Sequence, residues 1–239
     1  MKPQNSIIYR GPSQIDPNEN IVVVAITKSS NSKTGNMVQT YILCDNGIDP
    51  MLNNKLGNDY SICGNCKHRG EAQDIDAPGK HAKGRTCYVA LFQGVLNVWK
   101  QVQKNAYPVA QGHEAIAHLG AGRMVRVGTY GDGAAVPSYI WDSLLSEAEG
   151  HTGYSHQSDL IEVDPMLYMI SADTETQARQ AWQEGKRTFR VIQKTDELVK
   201  GSEALCPASK EAGRRATCET CKLCAGASVK AKSIAIVQH

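Results

Sequence analysis

The chain is poor in several things. Among 239 residues there are 2 Phe against 21 Gly, and aromatics make up 6%. So few large rings limit the core of a loop-rich chain, which must draw part of its stability from another source. Long apolar runs are also missing. The longest, such as Ile21–Ile26 and Ile234–Val237, fall far short of the roughly 20 residues that a membrane-spanning helix needs. The opening Met1-Lys2-Pro3-Gln4-Asn5 lacks the apolar stretch of a secretory signal. No membrane partner is therefore expected, and a cytoplasmic location is. Nor is there an excess of charge of one sign. Lys+Arg 26 nearly balance Asp+Glu 24, a formal charge of +2, which neither demands nor excludes nucleic acid as a partner. At 41% hydrophobic and 21% charged residues, the composition is that of an ordinary globular chain. It suits a single α/β domain over 1–239. The oligomeric state is not legible.

What the chain does have is cysteine. There are 8, in two groups: Cys44, Cys63, Cys66 and Cys87, then Cys206, Cys218, Cys221 and Cys224. In a reducing compartment two groups of four point to metal or iron–sulfur ligation rather than disulfides. They mark a cysteine-rich loop module over 44–90 and a C-terminal one over 203–232. In the second, Cys218-x₂-Cys221-x₂-Cys224 with a distant Cys206-Pro207 is similar to the ferredoxin-type arrangement, in which each thiolate takes a different iron. Zinc on the same four is the competing reading. Over 206–239 six basic residues face two acidic ones, a local charge of +4. Such a module can face a polyanion or offset thiolate charge. In the first group, Cys63-Gly64-Asn65-Cys66 reads as a knuckle. Cys87 joins it, completed by Cys44, His68 or His81. Alternatively Cys44 ends a strand and is merely buried. The expected cofactors are zinc or a [4Fe–4S] cluster, at one or two sites.

Periodicity supplies the frame. Residues 1–20 are polar, with three prolines, and read as an arm. Asn20–Lys28 and Met37–Cys44 are β-rich runs, and 45–90 reads as loop. Leu91–Lys104 places Leu91, Val95, Val98, Trp99 and Val102 on one helical face, and His113–Leu119 is a shorter helix. Strand and helix then alternate: strands at Met124–Gly128, Thr152–Ser155, Met166–Ala172, Arg187–Gln193, Ala204–Cys206 and Ser233–Gln238, and helices at Pro137–Glu149 and Thr174–Glu184. The fold class is thus α/β, with a mostly parallel sheet forming an open sheet or an incomplete or irregular (β/α) barrel.

Parallel strands deliver their following loops to one edge, where sites in this class are built. Asp132, His156 and Asp173 each follow a strand, with His151 close by. They are the candidate catalytic residues, as nucleophile or general base and acid/base partner. Taken singly, they also read as a turn aspartate, surface histidines and a helix cap. Arg126 and Arg190 interrupt apolar strands. A buried arginine needs a partner, either Asp132 or Asp173 or the phosphate or carboxylate of a substrate.

As a set, Asn31-Ser32-Lys33-Thr34-Gly35, Cys63-Gly64-Asn65-Cys66, Cys87-Tyr88, Arg126-Val127-Gly128 with Gly131-Asp132, His151-Thr152-Gly153-Tyr154-Ser155-His156 and Cys206-Pro207 through Cys224 resemble a family of cysteine-rich bacteriophage-encoded proteins. More loosely, the chain resembles small degenerate radical-SAM-like barrels, although Cys63, Cys66 and Cys87 lack the C-x₃-C-x₂-C spacing. It is also similar in layout to transglycosylase-like barrels, which pair two aspartates with a C-terminal zinc site. The resemblance implies a viral origin, a barrel-like fold and the host cytoplasm. Three functions follow as expectations. The first is an enzyme acting on a nucleotide or nucleic acid, for instance in base modification. The second is a zinc-binding module that holds nucleic acid or a host factor. The third is an iron–sulfur redox protein.

Overall fold

A computed structural model describes residues 4–29 and 32–238. Ser30 and Asn31, between the two β-rich runs, lie outside the described residues. Ten strands form two five-stranded sheets. The first is mixed, in the order β1 (Ser6–Pro12), β2 (Asn20–Ile26), β3 (Val38–Cys44), β4 (Met124–Tyr130), β5 (Gly150–Thr152). Its first three strands are antiparallel and the last three parallel. The second is parallel throughout, in the order β6 (Tyr154–Ser155), β7 (Met169–Ala172), β8 (Thr188–Ile192), β10 (Ser233–Val237), β9 (Glu203–Leu205). Helices run in chain order: α1 (Pro50–Leu56), α2 (Tyr60–Cys63), α3 (Leu96–Gln103), α4 (His113–Gly120), α5 (Ser138–Leu145), α6 (Glu175–Gln183) and α7 (Cys218–Cys221). Among the described residues no helix is long and apolar enough to cross a membrane.

The expected barrel is not closed. β1 and β9 stand at the outer ends of the two sheets. The sheets meet at Gly153, the single residue between β5 and β6. The run 150–155 thus pairs with β4 through its first half and with β7 through its second. Gly153 itself donates to Cys224 O at 2.9 Å and accepts from Met169 N at 3.0 Å. The chain therefore keeps parallel order from β4 to β7 while changing sheet.

Local chemistry explains the elements. In β2, Ile21 to Ala25 are all buried, the mark of a strand covered on both faces. The arm expected over 1–20 instead contains β1. Its Ile7 and Ile8 are buried against β2, and Pro12 is tolerated because an edge strand can forgo one N–H. The stretch 45–90 is likewise not all loop. Asp49 caps α1 by accepting from Met51 N and Leu52 N, Pro50 takes the first turn, and Gly57 closes it in the left-handed conformation. α6 opens with the expected capping box of Thr174 and Gln177.

Candidate functional site at the strand ends

β4, β6 and β7 run the same way and end close together, bringing Asp132, His156 and Asp173 to one edge. His156 N donates to Asp132 Oδ2 at 2.8 Å, and His156 Nε2 lies 3.6 Å from Asp173 Oδ1. The three do not share a role. Asp132 is buried and occupied: Oδ1 accepts from Ala134 N at 3.0 Å, and Oδ2 also accepts from Gln157 Nε2 at 3.0 Å. It fixes the 156–157 turn rather than facing a substrate. Asp173 is not the helix cap, because Thr174 takes that place. Its carboxylate instead meets Lys67 Nζ at 3.2 Å and His68 Nε2 at 3.6 Å.

His68 completes the group. The ring of His68 meets that of His156 edge-on, with centroids 5.7 Å apart. His68 Nδ1 is held by Thr86 Oγ1 at 2.8 Å, whereas its Nε2 is buried with no hydrogen-bond partner. Burial, helped by His156, pushes the His68 pKa down. Burial pushes His156 the same way, but the neighbouring Asp173 and Cys66 outweigh that and raise it to about 10. For Asp173, burial is outweighed by His156 and Lys67, and its pKa falls.

The first cysteine set borders this group. Burial pushes the Cys63 thiol well up, and Asp59, Cys66 and Cys87 add to it. Cys63, Cys66 and Cys87 are therefore electrostatic neighbours, and Cys66 reaches His156. Gly64 lies against Gln157, with φ 47° and no room for a Cβ. Gln157 clamps the knuckle, donating to Cys63 O at 2.9 Å and accepting from Asn65 N at 3.2 Å. Nothing in composition marked Gln157. Cys44 stands apart, its Sγ 3.5 Å from Asn58 O and 3.6 Å from Ser61 Oγ. His81 shows no cysteine neighbour; burial and Arg85 push its pKa down.

The thiols of the second set are electrostatic neighbours as well. Burial raises the Cys224 thiol to about 12; a hydrogen bond with Tyr154 opposes this, and Cys206, Cys218 and Cys221 add to it. Two arginines attend these thiols. Arg187 is buried and donates to the carbonyls of Ala231, Leu223, Gly226 and Lys232. Arg126 hydrogen-bonds Tyr88 Oη, beside Cys87, and feels Tyr154 and Cys218. It bridges the two cysteine sets and pairs with neither aspartate. Arg190 is not at the site: it forms a buried ion pair with Glu203, with Nε to Oε1 at 2.8 Å and Nη2 to Oε2 at 2.6 Å. His151 is also elsewhere, tied by Nε2 to Leu167 O at 2.9 Å.

Among the described residues, one group of three or more potential ligands brings its donor atoms within 4.8 Å of one another: His68, His156 and Asp173. Neither cysteine set is that tight. A cavity of about 620 Å³ opens beside this group, lined by Tyr60, Cys66, Lys67, Arg69, Glu71 and Lys83 among others.

No family model, curated protein or solved structure gives a significant match to this chain. The reading of function therefore rests on the geometry.

Proposed function

We propose that this protein is an enzyme acting on an anionic, nucleotide-type substrate, with two thiolate centres holding the frame around its site. The observation that carries this reading is the meeting of His156 and Asp173 at one strand edge, beside a cavity lined by Lys67, Arg69 and Lys83 against Glu71. Lys67 and Lys83 take the phosphate, Arg69 being held by Asp59 and Gly57 over the Tyr60 ring, and His156 with Asp173 forms the reacting face.

Neither set is at the spacing of a single zinc. One zinc about 2.3 Å from each sulfur requires sulfurs ~3.8 Å apart, and neither set has three within 4.8 Å. A cubane gives each thiolate its own iron and spreads them. Arg187 and Arg126 suit such an anionic centre, since each has thiol neighbours and no carboxylate partner among the described hydrogen bonds. A cysteine-stapled binding module is the second reading, favoured by the charge of +4 over 206–239.

Equilibrium dialysis of anaerobically purified protein against nucleoside phosphates and short oligonucleotides tests the proposal. Binding should weaken steeply with salt and fall in Lys83→Ala. Absence of binding at low salt, or binding indifferent to Lys83→Ala, refutes the cavity as the substrate site. Retention of oligonucleotide by the 206–239 face alone favours the module.

A further inference from the structure

We infer that His68, His156 and Asp173 bind one divalent first-row transition ion at the border of the basic cavity. The inference deepens the reading of the same site and rests on it only for what the ion would act upon. It is distinct from the two thiolate centres, because its donors are two imidazoles and one carboxylate.

Three observations carry it. The first is spacing. Both Nε2 atoms lie 3.6 Å from the same oxygen, Asp173 Oδ1. That is too long for a hydrogen bond. It is close to the ~3.0–3.4 Å that separates neighbouring donors around an ion with bonds of about 2.1 Å at octahedral or tetrahedral angles.

The second is the orphaned nitrogen. His68 Nε2 is buried without a hydrogen-bond partner, and such atoms in native structures call for an occupant. Its other nitrogen is held by Thr86 Oγ1. Ligating imidazoles are oriented by such a second contact.

The third is the donor set. Two histidines and one carboxylate on one side of an ion leave its remaining positions open, a pattern of non-haem iron and of catalytic zinc sites. Cys66 and Lys67 line the cavity, and Lys67 also meets Asp173, so the three ligands lie at the border of the space where an anionic substrate would sit.

One group competes. Lys67 Nζ lies 3.2 Å from Asp173 Oδ1 and its side chain is 52% exposed, so it can swing out to solvent. It acts as a resident counter-ion that the metal displaces. Removing it should favour the metal, which no purely structural role for the cluster predicts.

Manganese(II) is the probe, because hard N/O sites take it and thiolates do not compete for it. Protein with its cysteine centres loaded is titrated with Mn(II), and the free ion is followed by electron paramagnetic resonance. The wild type should bind one ion per chain. His68→Ala and Asp173→Asn should each weaken binding roughly tenfold or more, since even outer-sphere changes cost that much. Lys67→Met, at an exposed position, should bind more tightly than wild type. No saturable Mn(II) binding in wild type, unchanged affinity in folded His68→Ala and Asp173→Asn, or no tightening in Lys67→Met overturns the inference. The titration contains no substrate, so failure to bind nucleotide leaves it standing, and the converse also holds.

Discussion

The backbone N–H of His156 donates to Asp132 Oδ2 at 2.8 Å, so the aspartate that ends one strand sets the height of the histidine that ends another. β4 and β6 belong to different sheets, and Asp132 is the tie across the junction. Gln157 extends it to the cysteine knuckle. The site is therefore positioned by a buried polar network whose members touch no substrate.

Asp132→Asn tests that role. All three contacts of the carboxylate are with N–H donors. An amide must turn its own N–H toward at least one of them. A buried donor left without an acceptor costs about 1–3 kcal/mol, so the unfolding free energy from urea titration should fall by that amount. Mn(II) affinity should weaken through misplacement of His156 although no ligand has changed. A variant as stable as wild type would mean that Asp132 is not the tie.

Arg187→Lys addresses the C-terminal module. The guanidinium spans four carbonyls, from Leu223 to Lys232, and Leu223 adjoins Cys224. A lysine offers donors from one point and cannot reach them all. If the C-terminal thiols hold the proposed cluster, the anaerobically prepared variant should lose iron and its visible absorbance band faster than wild type on gel filtration. Equal retention would leave Arg187 a simple packing residue.

Periodicity made most of the frame legible, because strands such as β2 and β10 are apolar runs and the helices carry amphipathic faces. The parallel order also put Asp132, His156 and Asp173 on one edge. What was hidden depended on pairing. β1 lies within a polar, proline-bearing stretch, and its two buried isoleucines count only once β2 lies alongside. α1 was signalled by Asp49-Pro50 and Gly57, a cap pattern masked by the loop-rich stretch around it. Arg190 looked like a site residue because its partner, Glu203, lies on another strand. His68 was weighed only as a companion of the cysteines, since nothing in its spacing shows that Asp173, more than a hundred residues later, comes to face it.

Cys44 supplies a last test, with a worked sign. Burial raises its thiol to about 12 from 9.0; Ser61 opposes this and the charges of Asp59 and Glu19 add to it. The folded chain keeps a proton that the unfolded chain releases near pH 9. The resulting stability is fully present below that pH and drains away as pH rises toward 12. Urea midpoints should fall from about pH 8 to about pH 10.5 more steeply in wild type than in Cys44→Ala, since the other thiols titrate in both. The same variant decides whether Cys44 is a ligand. Its hydrogen bonds to Asn58 and Ser61 predict that Cys44→Ala keeps the full metal content of wild type. Loss of one centre in a folded variant would return Cys44 to the set of Cys63, Cys66 and Cys87.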